Sequence, residues 1–240
     1  MKLKHKYLSV KAMPYWMIAP ACILLVCVVL FPILRGFGYS TLEYNSSFGF
    51  EPKFTGLNNY VMMFTKDRIF GRVLGNSLRW VVFEVVLQLF FGCITALLLN
   101  QSFKGRSIAR AISLIPWAVS GVLTAILWSL IYNEHVGLLN DLLIRLGITN
   151  KKHAWLGDFR LVFPAVVVAE LWRGIPFFTI SLLASLQSIS TDLYEAAQID
   201  GATYLQRLLY VIFPHLKDPI MLTTLLRTVW EFNSVDVIFN

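Results

Sequence analysis

The sequence predicts an all-α integral membrane protein, a polytopic bundle of about five transmembrane helices. Three observations carry that prediction. Of the 240 residues, 57% are hydrophobic and 15% are charged, where soluble domains average about 25% charged. The mean hydropathy of +0.64 is more apolar than a water-facing surface tolerates. The apolar residues also gather in runs of roughly 20, the length that crosses a hydrocarbon core, with polar stretches between them.

The elements follow in order. Met1 to Lys11 carries four lysines, and residues 1–14 read as a basic cytoplasmic flank. Tyr15 to Leu34 is the first span. Its length, its internal Pro20 and Pro32, and the lack of a clear small-residue cleavage site argue against a removed signal peptide. Gly38 to Gly75 is polar and irregular and reads as an outer loop. Ser77 to Leu99 is the second span. Asn100 to Arg110 is short and carries Lys104, Arg106 and Arg110, which places it inside. Ile112 to Tyr132 is the third span, Asn133 to Arg160 a second outer segment, and Leu161 to Leu186 the fourth span. Residues 187–209 carry Asp192, Glu195, Asp200 and Arg207 and do not span. Val211 to Phe239 contains a fifth span interrupted by Pro214 and Pro219. Residues 15–240 thus form one transmembrane domain.

Composition also excludes functions. The net charge of +7 is better placed at membrane ends, facing anionic lipid headgroups, than on nucleic acid. Cys22, Cys27 and Cys93 all lie in apolar runs with no CxxC spacing and read as small hydrophobes. The histidines at 5, 135, 153 and 215 have no metal-ligand spacing, which argues against a membrane-embedded metalloenzyme. No G-x-x-x-x-G-K-[ST] loop is present, so the chain does not hold ATP that way. Without an internal inverted repeat, a secondary transporter or some other polytopic membrane protein stands only as the alternative reading.

The stretch Ser190 to Pro214 is the most informative. It reads as two short helices joined by a bend. Asp192 stands three residues before Glu195 in a capping-box-like start. Glu195, Ala196 and Ala197 are good helix formers, and Gly201 is a helix stop. A second helix runs from Tyr204 towards Pro214. A short rigid elbow with small residues suits close approach by another protein.

Glu195-Ala196-Ala197, then three residues, Gly201, nine residues and Val211-Ile212-Phe213-Pro214 resembles the EAA loop of binding-protein-dependent ABC transporter permeases. Asp200 and Ala202 extend the match, while Val211 and Phe213 depart conservatively. Gly56-Leu57-Asn58-Asn59-Tyr60, Ile115-Pro116, Trp172-Arg173 and Leu186-Gln187-Ser188-Ile189 are also similar to the carbohydrate and glycerol-phosphate uptake branch. The resemblance implies a transport subunit with no catalytic residue, metal or cofactor of its own. It implies a second permease subunit, two cytoplasmic ATP-binding subunits and an extracytoplasmic solute-binding protein as partners, in the bacterial inner membrane. It makes residues 187–214 the coupling loop. Asp192, Glu195, Ala196, Ala197, Asp200, Gly201, Ala202 and Pro214 are then the residues expected to engage the ATPase. Family members continue through one more span, so the last of six helices is expected to be missing here.

Ionisable side chains inside spans are costly and face the bundle. Glu84 and Gln88, Glu170 and Arg173, and Arg227 and Glu231 each share a helix face. The plain reading is interhelical glue. The sharper one makes the fourth and fifth spans line a solute path. Glu170, Trp172, Arg173, Phe177, Arg227, Trp230 and Glu231 would face it, and Trp172, Phe177, Phe178 and Trp230 would stack on sugar rings.

Overall fold

A computed structural model describes residues 12–43 and 52–233. The basic flank Met1 to Lys11, the middle of the first outer loop and the end of the fifth-span segment past Asn233 lie outside the described residues. The chain forms two compact units, residues 1–74 and 75–240.

In the first unit, Met13–Ser40 is one 28-residue apolar helix. It is built from α1 (Met13–Leu24), a wide π turn (Leu25–Leu30) and α2 (Phe31–Ser40). The Phe31 N–H reaches five residues back, to the Val26 carbonyl. Pro32 follows at once: its ring would crowd the carbonyl four residues back, and the wider turn makes room. The helix therefore continues past the predicted end at Leu34. The outer loop is more ordered than its composition suggests. Strands β1 (Leu42–Glu43) and β2 (Lys53–Phe54) pair antiparallel, Leu42 opposite Phe54, and α3 covers Asn58–Thr65. The Gly56–Tyr60 motif explains this order. Gly56 turns with φ +58°. Asn59 Nδ2 donates to the Ser40 and Leu42 carbonyls, both at 2.9 Å, and the Tyr60 hydroxyl lies 2.6 Å from Ser40 Oγ. One asparagine thus satisfies carbonyls left open at the helix end.

The second unit is framed by α4 (Phe70–Asn100) and α8 (Val162–Gln187), both long and apolar enough to cross a membrane. Gly92 and Gly174 let them approach closely. A Cβ on Gly92 would strike the Phe178 Cβ, and one on Gly174 would strike the Gln88 side chain. Small residues at such contacts are how helices pack where lipid supplies no hydrophobic drive. Ala96, Leu99, Leu182, Leu186, Ile212 and Leu216 form one apolar cluster, and Trp80, Val81, Val85, Val167 and Phe178 form another.

The predicted third span is not one straight helix. It is α5 (Arg106–Ala118) and α6 (Gly121–Ile131), bent by 98°. Val119 is extended, and Ser120 starts α6 afresh, its Oγ accepting from the Leu123 N–H at 3.3 Å. The segment after it, expected to lie outside, contains α7 (Leu138–Arg145). There the fully buried Asn140 donates to the Glu134 and His153 carbonyls and accepts from the His153 and Trp155 N–H groups.

Past α8 come α9 (Thr191–Ile199), α10 (Tyr204–Arg207), a π turn (Leu208–Ile212) and α11 (Phe213–Phe232). Neither Pro214 nor Pro219 breaks the helix, contrary to expectation; Pro219 lies inside α11. A π turn again stands just before Pro214, with the Phe213 N–H bonded to the Leu208 carbonyl. Three helices among the described residues, and the bent pair as a fourth, meet the length and hydropathy of a span. The 20-residue α11 has the length of one. Two of its charges, Arg227 and Glu231, are hidden inside the unit.

Candidate functional site

The elbow is built by local chemistry. Ser190, not Asp192, caps α9: its Oγ accepts from the Asp192 N–H at 3.2 Å. The expected Asp192–Glu195 capping box is therefore replaced by a serine cap two residues earlier. At the other end Gly201 has φ +74°. The Gly201 N–H bonds to the Gln198 carbonyl at 3.1 Å and the Ala202 N–H to the Ala197 carbonyl at 2.9 Å. This is a Schellman stop, for which glycine carries no Cβ penalty. The capping box falls on α10 instead. Gln206 Oε1 accepts from the Thr203 N–H at 2.8 Å, and Thr203 Oγ1 accepts from the Gln206 N–H at 3.4 Å.

These caps set which side of α9 faces out. Asp192, Glu195, Ala196 and Ile199 lie together on one side and are exposed, as are Leu193 and Gln198 flanking them and Asp200 and Gly201 beyond. Tyr194 and Ala197 are half-buried on the opposite side, where Tyr194 packs on the apolar cluster of α4, α8 and Leu216. Its hydroxyl is enclosed without a hydrogen-bond partner among the described residues, and burial pushes its pKa up. Ala202 is half-buried and Pro214 exposed. Sequence reading missed Ile199. It is an aliphatic side chain left 87% exposed at the tip of the same face, a feature that the sequence pattern does not mark.

The three predicted intrahelical pairs turn out to be one network across α4, α8 and α11. Arg227 is its centre. Its Nη2 lies 2.8 Å from Glu170 Oε1 and 2.7 Å from Glu231 Oε1, and its Nε donates to Gln88 Oε1 at 2.6 Å. Gln88 Nε2 donates to Glu84 Oε2 at 2.9 Å and Glu231 Oε1 at 3.0 Å. Trp80 Nε1 donates to Glu231 Oε2 at 3.3 Å, a member sequence reading did not name. Arg173 closes the other side, its Nε and Nη2 donating to both oxygens of Glu170. Glu84, Gln88 and Glu170 are wholly buried, and Arg227 and Glu231 nearly so. Charges taken out of water need such partners, since an unpaired one costs several kcal/mol (order of magnitude).

The aromatic candidates divide. Phe177 and Trp230 pair with ring centroids 4.9 Å apart, and Trp230 is exposed. Trp172 is half-buried and meets Trp128 edge-on at 6.2 Å. Phe178 is wholly buried against Gly92, so it belongs to the core and cannot stack on a solute. Among the described residues no group of three or more His, Cys, Asp or Glu is placed to hold a metal ion.

The described residues form a helical frame with the lengths and hydropathy of membrane spans, carrying a short capped elbow between α8 and α11. Residues 88–238 match the binding-protein-dependent transport system inner membrane component, and the chain belongs to that family: it is a permease subunit of an ABC importer. It is 37% identical over 237 residues to the trehalose/maltose transport system permease protein MalF of Thermococcus litoralis, covering 98% of this chain and 78% of that one. It is 31% identical to the sulfoquinovosyl glycerol transport system permease protein SmoG of Agrobacterium fabrum, covering 92% and 71%. The fold is shared with a bacterial alginate ABC transporter, solved in complex with an alginate pentasaccharide-bound periplasmic protein. The TM-score is 0.76 at 21% identity, over 90% of this chain and 72% of that one.

Proposed function

We propose that this permease carries a sugar or sugar-like solute and that its elbow, residues 187–214, couples it to cytoplasmic ATP-binding subunits. One observation carries the coupling reading: α9 is held rigidly by Ser190, Gly201 and Tyr194 while Asp192, Glu195, Ala196 and Ile199 stand exposed on one face. A helix fixed at both ends passes on a push that a loose loop would absorb. Ala197, Asp200 and Ala202 shape its inner side and stop, and Pro214 continues the chain into α11 without a break. Two such ATP-binding subunits supply the hydrolysis. A second permease subunit, lipid and an extracytoplasmic solute-binding protein complete the assembly. The four lysines of Met1 to Lys11 favour a cytoplasmic N-terminus.

The carbohydrate reading rests on the relatives, which are named for trehalose/maltose, sulfoquinovosyl glycerol and alginate transport. In this chain Trp172, Arg173, Phe177 and Trp230 supply the accessible aromatic and cationic surface for a solute. Glu170, Arg227 and Glu231 line the path from behind and hold it in shape. Partial exposure decides this division: the Arg173 side chain keeps 20% of its surface exposed and that of Glu170 none.

The test is solute uptake by proteoliposomes carrying the full-length permease with its partner subunits. Gly201→Asp and Glu195→Lys are expected to insert normally and to lose ATP-dependent uptake of labelled oligosaccharide. Full uptake by both variants would overturn the coupling reading, and uptake of peptides or polyamines in preference to sugars would overturn the solute class.

A further inference from the structure

We infer that Arg110 is a positioning residue on α5 that ties the root of the elbow to the end of α4, so that the three move as one body. The inference rests on the coupling reading of the elbow. It begins with an oddity of α5. That helix is amphipathic, yet Ile108, Ile112 and Ile115 stand exposed while Arg106, Ala109, Arg110 and Ser113 are partly covered. Its neighbour in the unit is α8. In a lipid-facing setting an arginine at a helix end ordinarily extends its head to water; here the cation is turned inwards, and its contacts explain why.

The guanidinium of Arg110 donates from Nε and Nη2 to the Leu99 carbonyl at 3.3 and 2.9 Å. Leu99 is the penultimate residue of α4. The last carbonyls of a helix have no partner within it and carry partial negative charge, so a cation there is both bonded and favoured. With the Gln187 amide turned so that its oxygen faces the guanidinium, that oxygen accepts from Nη2 at 2.7 Å and Nη1 at 3.0 Å. Gln187 is the last residue of α8, and Ser190, the cap of α9, stands three residues on. One side chain on α5 therefore joins the end of α4 to the end of α8 where the elbow begins. Ala96, Leu99, Leu186 and Ile189 make the same junction from its apolar side, and Tyr194 packs onto it from α9.

This use depends on arginine's shape. Its planar fork offers five N–H donors in fixed directions, and here three nitrogens address two acceptors on different helices. A lysine ammonium keeps the charge but cannot reproduce that fork. Without the clasp, the elbow is joined to the end of α4 by apolar contacts alone, which fix direction less well than a hydrogen-bonded fork.

The experiment uses the full-length permease assembled with its ATP-binding and solute-binding partners. It measures solute moved per ATP hydrolysed, alongside capture of the ATP-binding subunit. Arg110→Gln and Gln187→Leu are each expected to capture the subunit as wild type does. Each is expected to lower solute moved per ATP about tenfold, the scale of one charge-assisted hydrogen bond. Arg110→Lys should fall between. The double variant should be no worse than the worse single one, because both cut the same bond. A wild-type ratio in Arg110→Gln, or single effects that multiply in the double variant, would overturn the clasp. Should Arg110→Gln fail to insert, Arg110→Lys and Gln187→Leu decide by the same ratio. Gly201→Asp run beside them separates the two claims. If it stays fully coupled, the elbow reading falls. If it uncouples while Arg110→Gln and Gln187→Leu do not, the clasp alone falls.

Discussion

Glu170 and Glu195 are carboxylates 25 positions apart in the sequence, and their surroundings are opposite. Glu170 is wholly buried and shared between Arg173 and Arg227. Glu195 stands exposed on a helix of nine residues held at its ends. In the apolar interior a charged carboxylate is costly unless cations and hydrogen bonds meet it, so the network around Glu170 commits α4, α8 and α11 to one arrangement. On the elbow the backbone is fixed by caps instead, and the side chains are left available to another molecule. The same residue type thus specifies structure in one region and presents a surface in the other.

Substitutions should separate the two regions, and the largest effect is expected in the interior. Glu170→Ala leaves Arg173 and Arg227 without their shared partner and is expected to destabilise the chain by about 3–5 kcal/mol. The readout is thermal unfolding in detergent, and a change smaller than about 1 kcal/mol would mean the network is not a tie between helices. Next in size is Gly174→Val, whose side chain would occupy the place of Gln88; overpacking of this kind costs about 1–3 kcal/mol and should appear in the same assay. On the elbow, Gly201→Ala strains a residue at φ +74° by about 1–2 kcal/mol. It should lower thermal stability by no more than that amount while reducing coupled ATP hydrolysis. Smallest is Ser190→Ala, which removes the α9 cap for about 1 kcal/mol. Amide hydrogen exchange should quicken at residues 191–194 and nowhere in α4.

Much of this was legible in the sequence, and the misses share a cause. Runs of apolar residues located the long helices, because hydropathy needs no knowledge of neighbours. The EAA spacing located the elbow, and Gly201 its stop. Intrahelical spacing also paired Glu170 with Arg173 and Arg227 with Glu231. It could not show that Arg227 reaches Glu170 and Gln88, since contacts between helices leave no local period. The break at Ser120 lies inside an unbroken apolar run, so hydropathy hid it, although Ser120-Gly121 is a plausible helix start. Pro214 suggests an interruption because a proline inside a helix usually causes one; the π turn before it relieves the clash. Asp192 and Ser190 both fit a cap by residue type, and only backbone geometry chose Ser190. Phe178 looked like Phe177 in sequence, and the close approach at Gly92 decided that it is core.

The most direct test of the central claim is a photo-crosslinking scan of α9. A photoreactive residue is placed singly at positions 192, 194, 195, 196, 197 and 199 of the full-length permease, in the presence of its ATP-binding subunit. Capture at 192, 195, 196 and 199, with little at 194 and 197, is the expected result, the footprint of one exposed helix face seated on a partner. Capture at none of these positions, or equally at all six, would contradict the account of this elbow as a rigid docking helix.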